Sequence, residues 1–320
     1  MLNVVVGIDI SKTKFDAAIL FSDNKVKTKK FENKLSGFSE LISWLKKHEA
    51  VDLHVCLEAT GVYSEALAIY LSEIGHKVSV VNPAKIKGFA QSELARNKTD
   101  KADARLIARF CRAMNPPLWQ PKPHHIRELG DWVHRLQGLQ NLHQQEVNRL
   151  DVASACVKGS ILAIIKHLKK EIEQVKKKIR THIERNSDLQ AKKQLLETIP
   201  GIGEATIAQV LAFISNIEDF ENARQVAAFV GLNPKQRQSE SSMQGRTRLS
   251  KIGDANLRKA FYMPAVVAKR YNPIIKAFCE RLEAAGKPTM LIIGAAMRKL
   301  IHIIYGVLKS GKAFDANWAT

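Results

Sequence analysis

Short apolar runs and segments with helical periodicity alternate along the first hundred residues. The runs at 3–8 and 53–57 are rich in β-branched residues, as is typical of strands buried on both faces. Two more runs, Phe15–Phe21 and Val26–Phe31, flank a turn-rich Ser-Asp-Asn-Lys segment and predict a hairpin. With a further strand at 78–81, the pattern predicts an α/β domain with a mixed sheet.

Helices are predicted between and after these strands. Ser36 is expected to cap the first helix, and a second helix from about 64 to 74 ends at Gly75. Asn82, followed by proline, is expected to stop the last strand, and Thr99 has the position of an N-cap for a third helix.

Beyond a proline-rich, non-helical segment at 115–123, the chain becomes strongly helical. Apolar residues there recur at alternating spacings of four and three, which defines a heptad seam. The seam consists of Ile161, Ile165, Leu168, Ile172, Val175 and Ile179. Two interpretations stay open: self-association of the chain through this seam, and packing against another helix of the same chain.

These changes of pattern divide the chain into three predicted domains. Residues 1–124 form the α/β domain, 125–193 form long helices of coiled-coil type, and 194–320 form a mainly α-helical domain. In the last domain, the sequence Ile-Pro-Gly-Ile-Gly at 199–203 has the pattern of a hairpin between two helices. Its glycines, Gly201 and Gly203, favour either phosphate contact through backbone amides or close helix packing.

The charge balance is strongly basic. The 320 residues include 50 Lys and Arg against 31 Asp and Glu, which gives a net charge of +19 and a pI near 9.8. Most of the excess lies after residue 120. This balance favours a polyanionic partner, nucleic acid above all, bound chiefly by the C-terminal part.

The cysteines and the apolar segments favour a cytoplasmic protein. The four cysteines have no metal-binding spacing, and their mostly apolar neighbours predict buried, reduced thiols. The N-terminus lacks the layout of a signal peptide, and no apolar stretch is expected to reach the roughly 20 residues of a membrane span.

Four carboxylates have the order and setting of a nuclease that holds divalent metal. Asp9 and Glu58 each close a strand, whereas Asp100 and Asp103 share one face of a helix. Together they predict a site for two metal ions, which would clamp the attacking and leaving oxygens of a phosphodiester. Each acid also has a structural interpretation as a turn residue, a helix cap or a local ion-pair partner, and Asp16 is given at most a minor role.

A basic, serine-rich loop at 234–259 is the second candidate site. Its cations are Lys235, Arg237, Arg246, Arg248, Lys251, Arg258 and Lys259. A hydroxyl among guanidinium groups suits phosphoryl transfer to serine. Composition alone favours the other interpretation, a solvated loop that grips a nucleic-acid backbone. Lys12, close to the acids in sequence, is a further candidate for backbone contact.

Several motifs together resemble the DEDD transposases of the insertion-sequence "one-ten" family. They are GIDISKTKFDAAI, CLEATGVY, NKTDKADA, IPGIG and GLNP with the downstream SKIGDANLRKA, in the family's order along both halves of the chain. The resemblance implies an RNase H-like domain of the RuvC type, a coiled coil, and a transposase domain. It also implies Mg²⁺ held by Asp9, Glu58, Asp100 and Asp103.

The resemblance further implies a serine that becomes linked to a DNA 5′-phosphate. Ser239 keeps the spacing from the GLNP motif, but Glu240 stands where the family usually has glycine, so Ser241 and Ser242 stay as alternatives. A structured bridge RNA is implied as guide for donor and target DNA. Because two duplexes must be held together, we expect a dimer or tetramer.

Three other functions are compatible with parts of the same sequence. A RuvC-like junction-resolving endonuclease would use the same carboxylates for metal-dependent hydrolysis. A non-enzymatic nucleic-acid-binding protein would bind in a salt-sensitive manner without metal. A sugar-kinase-like ATPase shares the GIDIS opening, but no later glycine-rich phosphate loop follows in the sequence.

Overall fold

The first 122 residues are built around a mixed sheet of five strands, in the order β3-β2-β1-β4-β5. The strands are β1 (Val5–Ile10), β2 (Lys14–Leu20), β3 (Val26–Glu32), β4 (His54–Glu58) and β5 (Lys77–Val81). β1, β4 and β5 are parallel, and β2 is antiparallel to both of its neighbours. The predicted α/β class with a mixed sheet is confirmed.

The computed structural model of the protein describes most of the chain. The described residues are 4–50, 53–59, 61–93, 100–214, 216–235, 238–239, 243–244, 248–250 and 252–317. The chain divides into two compact units, residues 1–122 and residues 123–320.

Helices cover both faces of the sheet. They are α1 (Leu35–Lys47), α2 (Val62–Glu73), α3 (Pro83–Ser92) and α4 (Asp100–Met114). α1 and α2 bury Leu41 and Leu71 against one face, whereas α3 and α4 bury Ile86 and Ile107 against the other. Because both faces are covered, the inner strands β1 and β4 are almost continuously apolar, whereas the edge strand β3 is largely polar and partly exposed.

Two local expectations need correction. α1 begins at Leu35, one residue after its N-cap Lys34, so Ser36 lies inside the helix. The residues Asn82 and Pro83 not only end β5 but also start α3, a helix that the sequence analysis missed. Asn82 accepts a hydrogen bond from the backbone N–H of Ala84 at 2.8 Å, and proline suits the first helical position.

The second unit is mainly helical. Its helices are α5 (His124–Asp151), α6 (Ala155–Arg185), α7 (Ser187–Glu197), α8 (Glu204–Phe213), α9 (Ala223–Phe229), α10 (Ala255–Ala260), α11 (Tyr262–Tyr271), α12 (Pro273–Ala284) and α13 (Thr289–Ser310). One hydrophobic core joins residues of α5 and α6 to residues of the later helices. Whether residues 125–193 act as a module separate from 194–320 stays a prediction.

The heptad seam is used inside the chain. α5 and α6 form an antiparallel pair, since Nε2 of His182 near the end of α6 donates to the carbonyl oxygen of His125 at the start of α5. Leu168 and Ile172 of the seam are buried in the same core as Leu129 of α5. Of the two interpretations of the seam, packing within the chain is the one that the structure shows.

The sequence predicts no apolar segment of membrane-spanning length, but α13 is one. By length and composition alone α13 could cross a membrane. However, 56% of its most apolar 18-residue stretch is buried inside the protein. Leu300, Ile301 and Ile304 belong to the core of the second unit. A core helix of this kind passes the same test as a membrane span.

The cysteines follow the expectation in three cases. Cys56, Cys111 and Cys279 are buried free thiols, whereas Cys156 is a free thiol exposed at the start of α6. The prediction of burial is therefore wrong for Cys156, because its apolar neighbours lie on the exposed side of the helix.

Candidate active site

Helix α4 rests directly on strand β1. A Cβ atom added to Gly7 would lie 2.3 Å from the carbonyl oxygen of Ala104, so only a glycine allows this close approach. Ala18, which pairs with Gly7 on β2, keeps the adjacent strand equally small at this level. The small residues Gly7 and Ala18 therefore allow α4 to pack directly against the centre of the sheet.

α4 runs in the opposite direction to β1 and β4. Near its C-terminus, Arg112 donates to the carbonyl oxygens of Leu20 and Phe21, both at 2.7 Å. Leu20 pairs with Val5 at the beginning of β1. The N-terminus of α4 therefore lies toward the C-terminal ends of β1 and β4, which are the ends that carry the acids.

Asp9 and Glu58 are side by side on the sheet. β1 and β4 are parallel with Ile8 opposite Leu57, so the next residue on each strand, Asp9 or Glu58, occupies the adjacent position. Ile8 and Leu57 face the α1–α2 side, and strand alternation therefore places both acids on the α4 side. Both acids are half-buried.

α4 brings Asp103 toward the same edge. Asp103 is half-buried and lies one turn before Ile107, which packs on the α4 side of the sheet. Asp100 begins α4, but its side chain is outside the described part. Among the described side chains, no three of the acidic, histidine or cysteine type are gathered closely enough to hold a metal ion.

Two further charged residues extend the pair of acids into a row across the sheet. Asp16 on β2 pairs with Asp9, and Lys30 on β3 pairs with Asp16, which places both on the α4 side. We call Lys30, Asp16, Asp9 and Glu58 the acidic row. Lys30 is not among the residues predicted from the sequence, and Asp16 is predicted to have at most a minor role. The hairpin register, which pairs Ile10 with Phe15, is the signal that would have placed Asp16 opposite Asp9.

Lys12 lies in the turn between β1 and β2, beside the acidic row. The turn is tight, since the Ser11 hydroxyl and backbone N–H both bond to the carbonyl oxygen of Lys14, at 2.8 and 2.9 Å. The side chain of Asn33 donates to the carbonyl oxygens of Ser11 and Tyr63, which ties this turn to the start of α2. Lys12 itself is exposed, and its contact with a nucleic-acid backbone stays a prediction.

The serine-rich loop of the second unit contains short paired strands. β6 (Pro234–Lys235) pairs with β9 (Arg248–Leu249), and β7 (Gln238–Ser239) pairs with β8 (Met243–Gln244). Ser239 thus ends β7, directly before the turn of a hairpin, although its side chain is outside the described part.

Several residues of this loop lie outside the described part of the chain, and the predictions for them stay predictions. They are Arg237, Ser241, Ser242, Arg246 and Lys251. The side chains of Lys235 and Arg248 are also outside it.

Two arginines support the base of the hairpin. Arg258 donates to the carbonyl oxygen of Val230 at 3.4 Å, and Arg298 of α13 donates to the side-chain oxygen of Asn233 at 3.1 Å. The backbone N–H of Ser250 donates to the carbonyl oxygen of Asn233 at 2.7 Å. Arg298 was not predicted from the sequence; its signal is the pair of cations, Arg298 and Lys299, in the middle of a mostly apolar helix.

The two glycines of the 199–203 segment have different surroundings. Gly201 has a φ of +99°, and an added Cβ would lie 2.7 Å from Cβ of Ala268 on α11. Gly203 precedes α8 and has open space around it. Directly after it, Glu204 forms a bidentate pair with Arg180, which lowers the pKa of that carboxyl. The structure therefore gives Gly201 a packing role, and phosphate contact stays a prediction.

Two family models match the chain. The first, for DEDD transposases of IS110 type and described as "Transposase", covers residues 6–153. The second, described as "Transposase IS116/IS110/IS902 family", covers residues 193–280. The acids and the serine-rich hairpin fall within separate models.

Similar proteins support the same assignment. The "Pilin gene-inverting protein" of Moraxella lacunata is 37% identical over 319 residues, which cover 98% of this chain and 98% of that protein. The "Transposase for insertion sequence element IS1328" of Yersinia enterocolitica is 24% identical over 231 residues, 60% of this chain and 64% of that relative. With two family models and a 37% identical relative along nearly its full length, this chain belongs to the IS110 family of transposases and is a DNA transposase or recombinase.

Proposed function

We propose that the protein is a site-specific DNA recombinase that combines a metal site in the first unit with a serine nucleophile in the second. The observation that carries this proposal is the adjacent placement of Asp9 and Glu58 on one sheet face, with α4 bringing Asp103 toward the same edge. An RNase H-like fold of the RuvC type is part of the proposal. It is supported by a mixed sheet that carries acids at the ends of its first and fourth strands.

The residues fit a divalent cation in their chemistry. Carboxylate oxygens are preferred ligands of Mg²⁺, and Asp16 beside them has a buried Oδ1 without a hydrogen-bond partner in the described chain. We assign Asp9, Glu58, Asp100 and Asp103 as ligands of a two-metal site. Bound Mg²⁺ would stabilise the charge that develops on the phosphate.

Ser239 is the proposed nucleophile. Its Oγ forms a bond to phosphorus, the bond from phosphorus to the 3′ oxygen breaks, the hydroxyl proton is released, and the 3′ oxygen leaves as a hydroxyl. The product is a serine–5′-phosphate diester, which conserves the free energy of the cleaved phosphodiester bond. A 3′ hydroxyl of another strand can then attack that phosphate and release the serine, which rejoins DNA without an external energy source.

The basic side chains are proposed to hold nucleic acid. A net charge of +19 supports binding of donor and target DNA and of a structured bridge RNA as guide. The proposed contacts are Lys12, Gly201, Gly203, Lys235, Arg237, Arg246, Arg248, Lys251 and Arg258. A dimer or tetramer would hold two duplexes. Four residues of the heptad seam, Leu168, Ile172, Val175 and Ile179, are already packed within the chain, so we expect the oligomer interface to use other surfaces.

A denaturing gel tests this proposal. The protein, with its co-purifying RNA, is incubated with labelled DNA that carries the joined ends of its element. We expect an SDS-resistant protein–DNA species with Mg²⁺. EDTA, Asp9→Asn and Ser239→Ala should each abolish it, whereas Ser250→Ala, the matched control, should keep it.

The alternative function gives a different result on the same gel. A junction-resolving endonuclease would release free 5′-phosphates in a Mg²⁺-dependent reaction without any covalent species. An adduct that persists in Ser239→Ala would reject Ser239 as the nucleophile, and Ser241→Ala and Ser242→Ala would then identify its replacement.

A further inference from the structure

Asp16 is a buried carboxylate that its protein surroundings do not satisfy. The residue is only 2% exposed, and its Oδ1 has no hydrogen-bond partner in the described part of the chain. Its Oδ2 lies 3.6 Å from Nζ of Lys30, which is beyond an ordinary hydrogen bond. A buried carboxylate with an unsatisfied oxygen destabilises the fold unless another group compensates it.

The position of Asp16 points its carboxylate toward the proposed metal site. Asp16 is the direct antiparallel partner of Asp9, so both side chains extend from the same sheet face. The neighbours of Asp16 on β2, Phe15 and Ala17, face the opposite core, which confirms the side on which Asp16 lies. Directly opposed residues of this kind have Cβ atoms about 4.5–5.5 Å apart.

The acidic row places carboxylates side by side on the α4 side of the sheet. It contains three carboxylates on adjacent strands and one ammonium group, that of Lys30, which is itself 45% exposed. Like charges on adjacent strands destabilise a sheet. A divalent cation on the α4 side would bind the unsatisfied Oδ1 of Asp16 next to the carboxylate of Asp9.

We propose that Asp16 is a further cation-binding carboxylate of this site, next to Asp9 and Glu58. The inference rests on the proposed function, because it places Asp16 at the same metal site. Two consequences follow. Asp16 contributes to cation affinity, and in the absence of cation its charge lowers the stability of the first unit.

Mn²⁺ binding and thermal unfolding of the full-length protein test both consequences. Bound nucleic acid is first removed with nuclease and high salt, because phosphates also bind Mn²⁺. Free Mn²⁺ is followed by electron paramagnetic resonance for wild type, Asp9→Asn, Asp16→Asn and Lys30→Met. Asp23→Asn is the matched control, since Asp23 is an exposed acid in the β2–β3 turn that pairs with Lys25.

We expect Asp16→Asn to weaken Mn²⁺ binding by roughly 10- to 100-fold, as is typical when a group around a metal site is removed. Without metal, its melting temperature should equal or exceed that of wild type. Lys30→Met should bind Mn²⁺ at least as well as wild type, and Asp23→Asn should not differ from it.

Three outcomes would overturn the inference, and they are distinguishable. If Asp9→Asn weakens binding but Asp16→Asn does not, the inference fails while the proposed function stands. If Asp16→Asn and Lys30→Met lower the metal-free melting temperature equally, and also weaken Mn²⁺ binding equally, then Asp16 acts only as the ion-pair partner of Lys30. If wild type binds Mn²⁺ no better than Asp9→Asn, the proposed metal site fails and the inference fails with it.

Discussion

A Cβ atom placed on Gly7 would lie 2.2 Å from the backbone nitrogen of Ala108, so α4 and β1 are in direct backbone contact. This contact fixes the height of α4 above the sheet, and through it the position of Asp103 relative to Asp9. The geometry of the acids thus depends on a residue that carries no chemistry of its own.

Gly7→Ala should therefore destabilise the first unit. Overpacking of this kind costs about 1–3 kcal/mol, and the clash here is with backbone, which cannot move aside easily. Chemical denaturation measures the loss. Gly88→Ala in α3 is the control, because its surroundings are open and alanine is favoured inside helices by about 0.5–1 kcal/mol. Equal stability of Gly7→Ala and wild type would contradict the close contact.

The two glycines of the 199–203 segment should respond differently to alanine. Gly201→Ala should lower stability by about 1–3 kcal/mol, because φ is +99° and Ala268 leaves no space. Gly203→Ala should change stability by less than about 0.5 kcal/mol, as its φ of −103° suits alanine. Measuring the DNA affinity of the Gly203→Ala variant distinguishes a packing role of Gly203 from contact with a phosphate. A folded variant with weak DNA binding would favour phosphate contact.

The heptad seam should behave as a core within one chain. Ile172→Ala removes a side chain that is 8% exposed and should cost about 2–5 kcal/mol. Leu162→Ala, at a position 51% exposed, is the control and should have little effect. Thermal unfolding at several protein concentrations checks the interpretation. If the loss caused by Ile172→Ala disappears at high concentration, the seam forms an interface between chains.

Stability of the second unit should depend on the protonation of His302. Burial, with Arg298, Lys299 and Arg224, lowers the pKa of His302. The unfolded chain therefore binds a proton there more readily, and stability falls as the pH drops below the unfolded value of about 6.5. His302→Gln should flatten this fall in urea denaturation between about pH 6.5 and 5. His124→Gln, at an exposed position, should retain it, and identical slopes for wild type and His302→Gln would contradict the assignment.

Local patterns were sufficient to predict the five strands of the first unit and the strand ends that carry acids, but not the short strands of the serine-rich loop. β1 and β4 are apolar runs with a single carboxylate at their last or next-to-last position, and both features are visible within ten residues of sequence. α3 was missed because Asn82 and Pro83 are signals both for ending a strand and for starting a helix. Residue propensities alone do not distinguish the end of a strand from the start of a helix when the helix follows the strand directly.

Relationships between distant residues could not be predicted in the same way. The pairing of Asp16 with Asp9 depends on hairpin register, and a shift of one residue would move Asp16 to the opposite face. The partner of the seam is α5, but a heptad pattern is the same whether the partner helix belongs to the same chain or another. Similarly, the support that Arg298 gives to Asn233 joins residues far apart in sequence.

Anomalous diffraction from crystals of the protein soaked in Mn²⁺ tests the central claim most directly. We predict an anomalous peak on the α4 side of the sheet, bonded to carboxylate oxygens of Asp9 and Glu58 at about 2.0–2.2 Å, with Asp103 in or next to the coordination sphere. The peak should be absent in Asp9→Asn crystals soaked in the same way. Mn²⁺ bound elsewhere, with no peak at Asp9 and Glu58, would contradict the claim that these acids form the metal site.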